Sequence, residues 1–394
     1  MTVYADHAAT APLRREALDA MMPYLTEQYG NPSSIYSLAF AARKAVEAAR
    51  ADMASAIGAQ PGELYFTGGG TESDNIALFG AASARKGHII TSNVEHPAVL
   101  RALEELEKRG AAEVTYLPVD ADGLISPDAL RDALRTDTVL VSVMAANNEV
   151  GVIQPVRALA DVARGHGAWF HTDAVQAAGH MPLDVSGMGA DMLSLSAHKF
   201  GGPKGVGVLY VKKGIKIPPL TYGGGHERGL RPGTENVPGI AGMAAALRAA
   251  VDNMEAETAR ISEVSRIVTE GLKKIPRSRI TGHESKRLPG TVSFVFEAVE
   301  GESLVLALDA KGVSCSSGSA CSSGSLDPSH VLLAIGLPHE IAHGSLRLSF
   351  GPENTPGQAR YVAQAVTGAV AARRAMSPLW DASKNVPLER FWDR

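Results

Sequence analysis

Short apolar segments rich in β-branched residues alternate with helical patterns through the first half of the chain, and this alternation constrains the fold most strongly. Alternating strands and helices are typical of βα units, whose strands form a mainly parallel sheet. We expect strands at 64–67, 88–92, 114–117, 139–144, 169–172 and 192–196. We expect helices between them at 37–56, 98–109, 127–134 and 156–164.

The second half of the chain carries a different set of patterns. Segment 205–213 follows the preceding strand too closely for a helical crossover, so we expect an antiparallel strand there. A helical pattern runs from 236 to about 274, and we interpret it as a bridge between domains. Further strands are expected near 291–296 and 345–350, with helices near 302–309 and from Thr355-Pro356, a favourable helix start.

Size, charge and composition limit the classes of function. A chain of 394 residues with 45% hydrophobic and 20% charged residues is expected to form one large domain and one smaller domain. A net charge of −4 without a Lys/Arg cluster argues against nucleic acid as the main ligand. The sequence has no run of 18 apolar residues and no signal-like N-terminus, so we expect no membrane contact and a cytoplasmic location. Both cysteines, Cys315 and Cys321, are then expected to be free thiols.

The strongest local feature is Ser196-Ala-His-Lys199, at the end of an apolar strand. A lysine held at a sheet edge can be desolvated and made nucleophilic enough to form a Schiff base, although a lone lysine is usually a solvated surface residue. Asp173 closes the preceding strand, and Gln176 follows it. An acid opposite a pyridine nitrogen is what pyridoxal phosphate (PLP) requires. Alone, Asp173 would more often cap a helix.

A glycine turn lies between a strand and a helix start in Phe66-Thr-Gly-Gly-Gly-Thr-Glu-Ser-Asp-Asn75. Free backbone N–H groups and the helix dipole attract phosphate at such a place, and Thr71 is the candidate phosphate-binding hydroxyl. An ordinary capped turn is the alternative. The sequence contains neither a GxGxxG fingerprint nor a P-loop, so NAD and ATP lack their usual support.

The whole chain resembles the cysteine desulfurases of the NifS/IscS type, in the class V aminotransferase family of fold-type I PLP enzymes. The resemblance lies in motifs that occur in the family's order: Asp6, Gly30-Asn-Pro-Ser33, GGGTESDN, VEHPAVL, NNEVG, HTDAVQ, SAHK, GGGHERGLRPGTEN, SSGSAC and AHGSLRLSFG. It implies an α/β fold with a mainly parallel mixed sheet in a large PLP-binding domain, residues 12–258. Residues 1–11 and 259–394 would form a smaller α+β domain that carries the catalytic cysteine.

The resemblance also implies which residues hold PLP. Lys199 would bind it covalently, Asp173 would pair with the ring nitrogen, and Asn148 and Gln176 would bond the ring oxygen or orient the ring. The phosphate group would be held by Gly70, Thr71, Ser196 and His198. Thr234 would reach the phosphate in the partner subunit's site, which implies a homodimer.

Three further residues would act on the substrate. His96 would stack on the ring and move protons, which suits a residue that titrates near neutrality, although a capping or buried histidine is the alternative. Arg347 would grip the substrate carboxylate, beside Asn148, with a surface salt bridge as its alternative. Cys321 would be the nucleophile, in a Gly/Ser-rich segment that we expect to be flexible. Cys315 is expected to be a small buried hydrophobic residue.

The implied reaction takes sulfur from L-cysteine, leaves it as a persulfide on Cys321 and releases L-alanine. A protein sulfur acceptor, such as an iron–sulfur scaffold, would then receive the sulfur. The chain departs from the family at Asp6-His7-Ala8-Ala9-Thr10, where relatives usually have Asp-Asn-Asn-Ala-Thr. This change could alter the entrance of the site.

Other functions fit parts of the sequence. An aminotransferase or a selenocysteine lyase would share Lys199 and Asp173, but an aminotransferase has no need of the Cys321 thiol. His339-Glu-Ile-Ala-His343 matches the HExxH zinc pattern, which needs a helix. Pro338 and Gly344 bracket it too tightly for a good helix, so we interpret the match as chance and expect no metal. A catalytically silent sulfur-relay scaffold is a third class.

Overall fold

The computed structural model describes residues 1–318, 327–381 and 383–388. None of the helices in these ranges is long and apolar enough to span a bilayer. The helices are α1 (Arg15–Thr26), α2 (Ser37–Ala56), α3 (Gly70–Ala84), α4 (Pro97–Lys108), α5 (Pro127–Ala133), α6 (Val156–His166), α7 (Val185–Met188), α8 (Val237–Asp252), α9 (Met254–Leu272), α10 (Gly301–Asp309), α11 (His330–Ala334), α12 (His339–Ala342) and α13 (Pro356–Met376). The strands are β1 (Val3–Tyr4), β2 (Leu64–Thr67), β3 (Gly87–Ser92), β4 (Ala112–Leu117), β5 (Thr138–Ser142), β6 (Trp169–Asp173), β7 (Met192–Ser196), β8 (Gly207–Val211), β9 (Ser278–Ile280), β10 (Thr291–Phe296), β11 (Val313–Ser314), β12 (Ser345–Ser349), β13 (Trp380–Asp381) and β14 (Val386–Pro387).

A seven-stranded sheet in the order β2-β8-β7-β6-β5-β3-β4 forms the centre of the molecule. Only β8 runs against its neighbours, β2 and β7, and the other pairings are parallel. The six predicted strands of the first half are therefore confirmed, and so is the antiparallel strand predicted within 205–213. The predicted mixed, mainly parallel α/β sheet is what the structure shows.

Both faces of this sheet are buried, which explains why its strands read as continuous apolar runs rather than as alternating ones. Consecutive residues of a strand face opposite sides. Ile90 and Val141 thus belong to one apolar core, whereas Ile89 and Leu140 belong to the core on the other face. Helices α2, α6 and α8 contribute to the first core, and α3 and α4 contribute to the second.

A third core forms around a three-stranded antiparallel sheet in the order β12-β10-β9. The start of the chain joins this core, because β1 pairs in parallel with β11 and because Val3 and Ala5 are fully buried there. This packing supports a smaller unit built from both ends of the chain. The division at residues 12 and 258 itself stays a prediction.

The long helical pattern from 236 to 274 forms two helices rather than one. Helix α8 ends at Asp252 and α9 begins at Met254, with Asn253 between them at φ −103° and ψ 4°. The Asn253 side chain donates to the Ala249 carbonyl at 2.8 Å, a local bond that competes with helix continuation. The predicted pattern, helical almost without interruption, is therefore confirmed, with a break at this residue.

A buried ion pair fixes the strand that leads into the glycine turn. The Arg50 guanidinium donates to both carboxylate oxygens of Glu227 at 2.8 Å, and the two side chains are about 5% and 3% exposed. Glu227 also accepts the backbone N–H of Phe66 at 2.9 Å, and Arg50 donates to the Leu64 carbonyl at 3.0 Å. Helix α2, strand β2 and the loop at 226–229 are thereby held together.

Replacing Glu227 with Gln should destabilise the protein by about 3 to 5 kcal/mol, because Arg50 would remain buried without a counter-charge. Urea unfolding of the PLP-free protein at fixed concentration measures this free energy. Asp161→Asn is the matched control, since Asp161 pairs with Arg157 on the surface and its loss should change little. Equal effects of the two variants would contradict the account.

Candidate active site

A cavity of about 330 Å³ opens at the carboxyl ends of the central strands, where βα folds place their ligand sites. The loops that follow β2, β3, β5, β6 and β7 all contribute to its wall. Every predicted site residue except Thr234 and Cys321 lines this cavity: Gly70, Thr71, His96, Asn148, Asp173, Gln176, Ser196, His198, Lys199 and Arg347.

Lys199 enters the cavity from a 3₁₀ turn, Ala197–Lys199, that follows β7 directly. Its Nζ atom donates to the backbone carbonyls of Ala8 at 2.5 Å and Ala9 at 2.9 Å. Gln176 Nε2 donates to the same Ala8 carbonyl at 2.9 Å. The N-terminal segment therefore forms the wall that faces the lysine amine.

The departure from the family at His7-Ala8 has two parts, because Ala8 lines the cavity whereas His7 lies outside its wall. The His7 ring is 4% exposed and contacts the Ser349 carbonyl at 3.1 Å and Glu353 Oε1 at 2.7 Å. Its neighbours Ala8 and Ala9 line the cavity instead. The change at His7 thus affects the support of this wall rather than the contact with a ligand.

Asp173 lies at the end of β6, beside the strand that leads to Lys199. Its carboxylate accepts the Val175 backbone N–H at 2.9 Å. Burial raises the pKa of Asp173, whereas the Val175 N–H and the Lys199 ammonium oppose this rise by stabilising the ionised form. A carboxylate and an amine in one buried cavity match the predicted pair.

The glycine turn brings the first turn of α3 to the cavity. Gly69 has φ 150°, a conformation that side chains disfavour, and a Cβ at Gly70 would lie 2.7 Å from Val175 Cγ2. The free N–H groups at the start of this 15-residue helix lie at the cavity with Ser196 and His198. Such an arrangement is suited to a phosphate group.

His96 is both a helix cap and a cavity residue, so its two proposed roles are compatible. It is the N-cap of α4, and its Nδ1 accepts the Ala98 N–H at 3.1 Å. Burial, together with Lys199 and His330, lowers the pKa of His96 to about 4. The neutral ring must then carry its proton on Nε2, because Nδ1 is an acceptor.

Arg347 is 3% exposed, so its interpretation as a surface salt bridge is wrong. Its Nη1 donates to the Asn148 carbonyl and its Nη2 to Asp6 Oδ1, both at 2.9 Å. Its Nε is buried and has no hydrogen-bond partner among the described residues. Arg347 lines the cavity, and a guanidinium with one donor that has no partner is suited to binding a ligand carboxylate.

Thr234 and Cys315 lie apart from this cavity. Thr234 is exposed in the segment that precedes α8. Cys321 lies outside the described residues. Cys315 is 9% exposed and belongs to the third core, and burial raises the pKa of its thiol to about 12, which confirms its prediction as a buried hydrophobic residue.

The described residues on either side of the Cys321 segment contact elements of the cavity wall. Before the segment, the backbone of Ser316 pairs with that of Arg347 through two hydrogen bonds of 3.2 and 2.7 Å. After it, His330 Nε2 lies 3.0 Å from the carbonyl oxygen of Glu95, the residue before His96. Both flanks are therefore tied to residues next to the cavity.

The sequence did not single out three buried carboxyl groups at or near this site. Asp74 lines the cavity itself. Glu95 accepts hydrogen bonds from Ser92 Oγ and the Met144 N–H, and burial raises its pKa to about 8. Glu149 accepts from Ser329 Oγ, and burial raises its pKa to about 7. All three lie within motifs of the resemblance, but a linear pattern does not reveal burial.

The cavity residues fit PLP. A lysine amine and a carboxylate lie in one enclosed space, the helix start at Gly70 leaves no room for a Cβ, and a buried guanidinium has an unpaired N–H. These are the donors and acceptors that a phosphate, a pyridine ring and an amino acid carboxylate require. Each residue's individual role stays a prediction.

The zinc hypothesis finds no support in the described residues. Helix α12 has only four residues and ends at Ala342, before the second histidine of the HExxH pattern. The described ranges contain no group of three or more His, Cys, Asp or Glu side chains that could hold a metal ion. His339 and His343 stack edge to face, with ring centroids 4.5 Å apart.

Comparison with known proteins identifies similar sequences and structures. Residues 3–362 match the family model described as aminotransferase class-V. A protein of Methanosarcina thermophila named cysteine desulfurase IscS is 52% identical over 380 residues, which cover 96% of this chain and 94% of that protein. A protein of Clostridium botulinum strain Hall with the same name is 48% identical over 385 residues, 96% of this chain and 97% of the relative.

Solved structures share the fold. A NifS-like protein superposes with a TM-score of 0.89 at 37% identity, over 94% of this chain and 100% of that one. A protein named SspA, solved in complex with cysteine, gives a TM-score of 0.79 at 39% identity, over 89% and 99% of the two chains. The predicted fold-type I architecture is therefore confirmed. Since the family model spans most of the sequence and these relatives align over nearly their full length, the chain belongs to the aminotransferase class-V family.

Proposed function

We propose that this chain is a PLP-dependent cysteine desulfurase, which takes sulfur from L-cysteine and releases L-alanine. The observation that carries this proposal is one cavity lined by Lys199, Asp173 and Arg347. Relatives of 48 to 52% identity are named cysteine desulfurase, and the related SspA was solved with cysteine. An aminotransferase would need the same lysine and acid, so the sulfur chemistry requires a separate test.

The residues that would hold PLP divide by the part of the molecule that they face. Lys199 would bind it covalently, Asp173 would face the ring nitrogen, and Asn148 and Gln176 would contact the ring. Gly70, Thr71, Ser196 and His198 would hold the phosphate. When bound, PLP supplies an electron sink for negative charge that develops on the substrate's α-carbon.

Arg347 would bind the substrate's carboxylate through its unpaired Nε. Asp6 and the Asn148 carbonyl hold the other end of the guanidinium, which fixes the direction of the free N–H. A bound carboxylate would add a charge-assisted hydrogen bond that the buried Nε lacks among the described residues. This contact selects α-amino acids over simple thiols.

His96 and Lys199 would move the protons. The neutral His96 ring holds its proton on Nε2, since Nδ1 accepts the Ala98 N–H. To accept a proton, the ring would have to release the Ala98 N–H from Nδ1, and a pKa lowered to about 4 favours its return to the neutral state. The Lys199 amine would take the α-proton, and either group would later return a proton to carbon.

Cys321 would receive the sulfur. Its thiolate would attack the substrate's sulfur atom, so that a sulfur–sulfur bond forms and the carbon–sulfur bond breaks. The electron pair of the broken bond stays on carbon, which takes up a proton and becomes the methyl group of alanine. The Cys321 thiol and the substrate L-cysteine thus become a persulfide and L-alanine, with no external oxidant.

A second copy of the chain would complete each site. Large apolar side chains are exposed on α1 and at the start of α2, where Met22 is 45%, Leu25 54% and Phe40 66% exposed. Exposed large apolar side chains that form one patch would favour an interface. Thr234 is exposed, as a residue that reaches a partner's phosphate site would be in a single chain. We further propose a cytoplasmic location and a protein sulfur acceptor such as an iron–sulfur scaffold.

Replacing Cys321 with Ala should leave the visible absorbance of bound PLP unchanged and stop persulfide and alanine formation, because only the sulfur acceptor is lost. Mass spectrometry of the protein and an alanine assay measure both products. Cys315→Ala is the matched control and should keep its activity, since Cys315 is buried in another core. Sustained alanine production by Cys321→Ala with a thiol reductant would reject the role of Cys321.

Replacing Thr234 with Ala should weaken PLP binding by about tenfold, the effect of one lost hydrogen bond to phosphate. Mixed dimers of Thr234→Ala and Lys199→Ala chains give the sharper test. If Thr234 of each chain completes the site of the other chain, one site of the mixed dimer contains both substitutions and the other contains neither. The mixed dimer should then have up to half of the native activity. Activity that stays at the sum of the two variants would show that Thr234 acts within its own chain.

A further inference from the structure

Asp74 is a buried carboxyl group that the proposed chemistry does not use. It lies on α3, is 1% exposed and lines the cavity. Its Oδ1 atom has no hydrogen-bond partner among the described residues, and the nearest ionisable nitrogen is His171 Nε2 at 3.6 Å. An ionised carboxylate would be costly in such a place, whereas a neutral carboxyl group would be tolerated.

A chain of neutral groups lies next to Asp74. Ser142 Oγ lies 2.8 Å from His171 Nδ1, and His171 Nε2 lies 3.0 Å from Ser194 Oγ. The Ser194 hydroxyl lies next to the Asp74 carboxyl group and lowers its pKa, against the larger effect of burial. Burial lowers the pKa of His171 to about 3, so its ring is neutral. Both His171 bonds form together when Ser142 Oγ donates to Nδ1 and the ring proton lies on Nε2, which donates to Ser194 Oγ.

The charged groups around Asp74 disfavour a second negative charge. Burial raises the pKa of Asp74 well above its usual range, and the Asp173 and Glu95 carboxyls raise it further. Asp173 is better placed to ionise, because it accepts the Val175 N–H and faces the Lys199 ammonium. Two interacting carboxyls in one dry site share a proton, and this proton belongs on the member without a cation.

We propose that Asp74 is a positioning residue that keeps a proton next to Asp173, so that Asp173 is the one carboxylate presented to the PLP ring nitrogen. The proton on Asp74 removes like-charge repulsion within the pair. Asp173 therefore remains ionised without a second buried cation. The inference depends on the proposed function only through the role of Asp173.

The first test is infrared spectroscopy of the full-length, PLP-free protein at pH 7. The wild type should show a carbonyl band of a protonated carboxyl group that is lost in Asp74→Asn. The same substitution at the exposed Asp122 is the matched control and should remove no such band. If Asp74→Asn removes no band, Asp74 is ionised and the proposal is overturned.

The second test is PLP affinity. The Asn side chain is neutral and keeps the shape and polarity of the protonated carboxyl group, so Asp74→Asn should bind PLP within about threefold of the wild type. Asp74→Ala should bind at least about tenfold more weakly, because it removes this buried polar group beside Asp173 and Ser194. Equal weakening in both variants would mean that a negative charge is required, and would also overturn the proposal. If the wild-type protein with bound PLP were inactive toward cysteine, the proposed function would be contradicted, but the infrared result would be unchanged.

Discussion

The site depends on keeping a lysine amine and an aspartate carboxylate together inside the protein. Charged groups are expensive to bury unless each has partners, and here each does. Lys199 donates to the Ala8 and Ala9 carbonyls, while Asp173 accepts the Val175 N–H. These partners come from the N-terminal segment and from the turn after β6. The parallel sheet brings Asp173 and Lys199 together, because the carboxyl ends of β6 and β7 lie at the same edge of the sheet.

This arrangement explains why both ends of the chain are needed at one site. The N-terminal segment pairs with β11 and packs in the core around the smaller sheet, yet Ala8 and Ala9 form a wall of the cavity. Arg347, on β12 of that smaller sheet, reaches the same cavity, where Asp6 and the Asn148 carbonyl orient it. The proposed substrate site therefore lies where the two sheets approach each other.

Strands and chemically distinctive residues could be predicted from the sequence, because each leaves a local signal. Apolar runs marked the central strands, and Lys199 and Asp173 stood at strand ends within specific motifs. The break at Asn253 could not be predicted, since one side-chain bond interrupts an otherwise helical pattern. Asp74 was missed because an acid in the first turns of a helix is common, and only the fold shows that it is buried beside Asp173. The direction of Arg347 Nε likewise depends on contacts between distant segments.

The central claim is that Lys199 is the residue that carries PLP, and its direct test is chemical. Sodium borohydride converts a lysine–PLP linkage into a stable phosphopyridoxyl group, whose position peptide mass spectrometry can identify. Treatment of the purified protein with PLP and borohydride should label Lys199 stoichiometrically. No label, or a label spread over exposed lysines such as Lys213, would contradict the account.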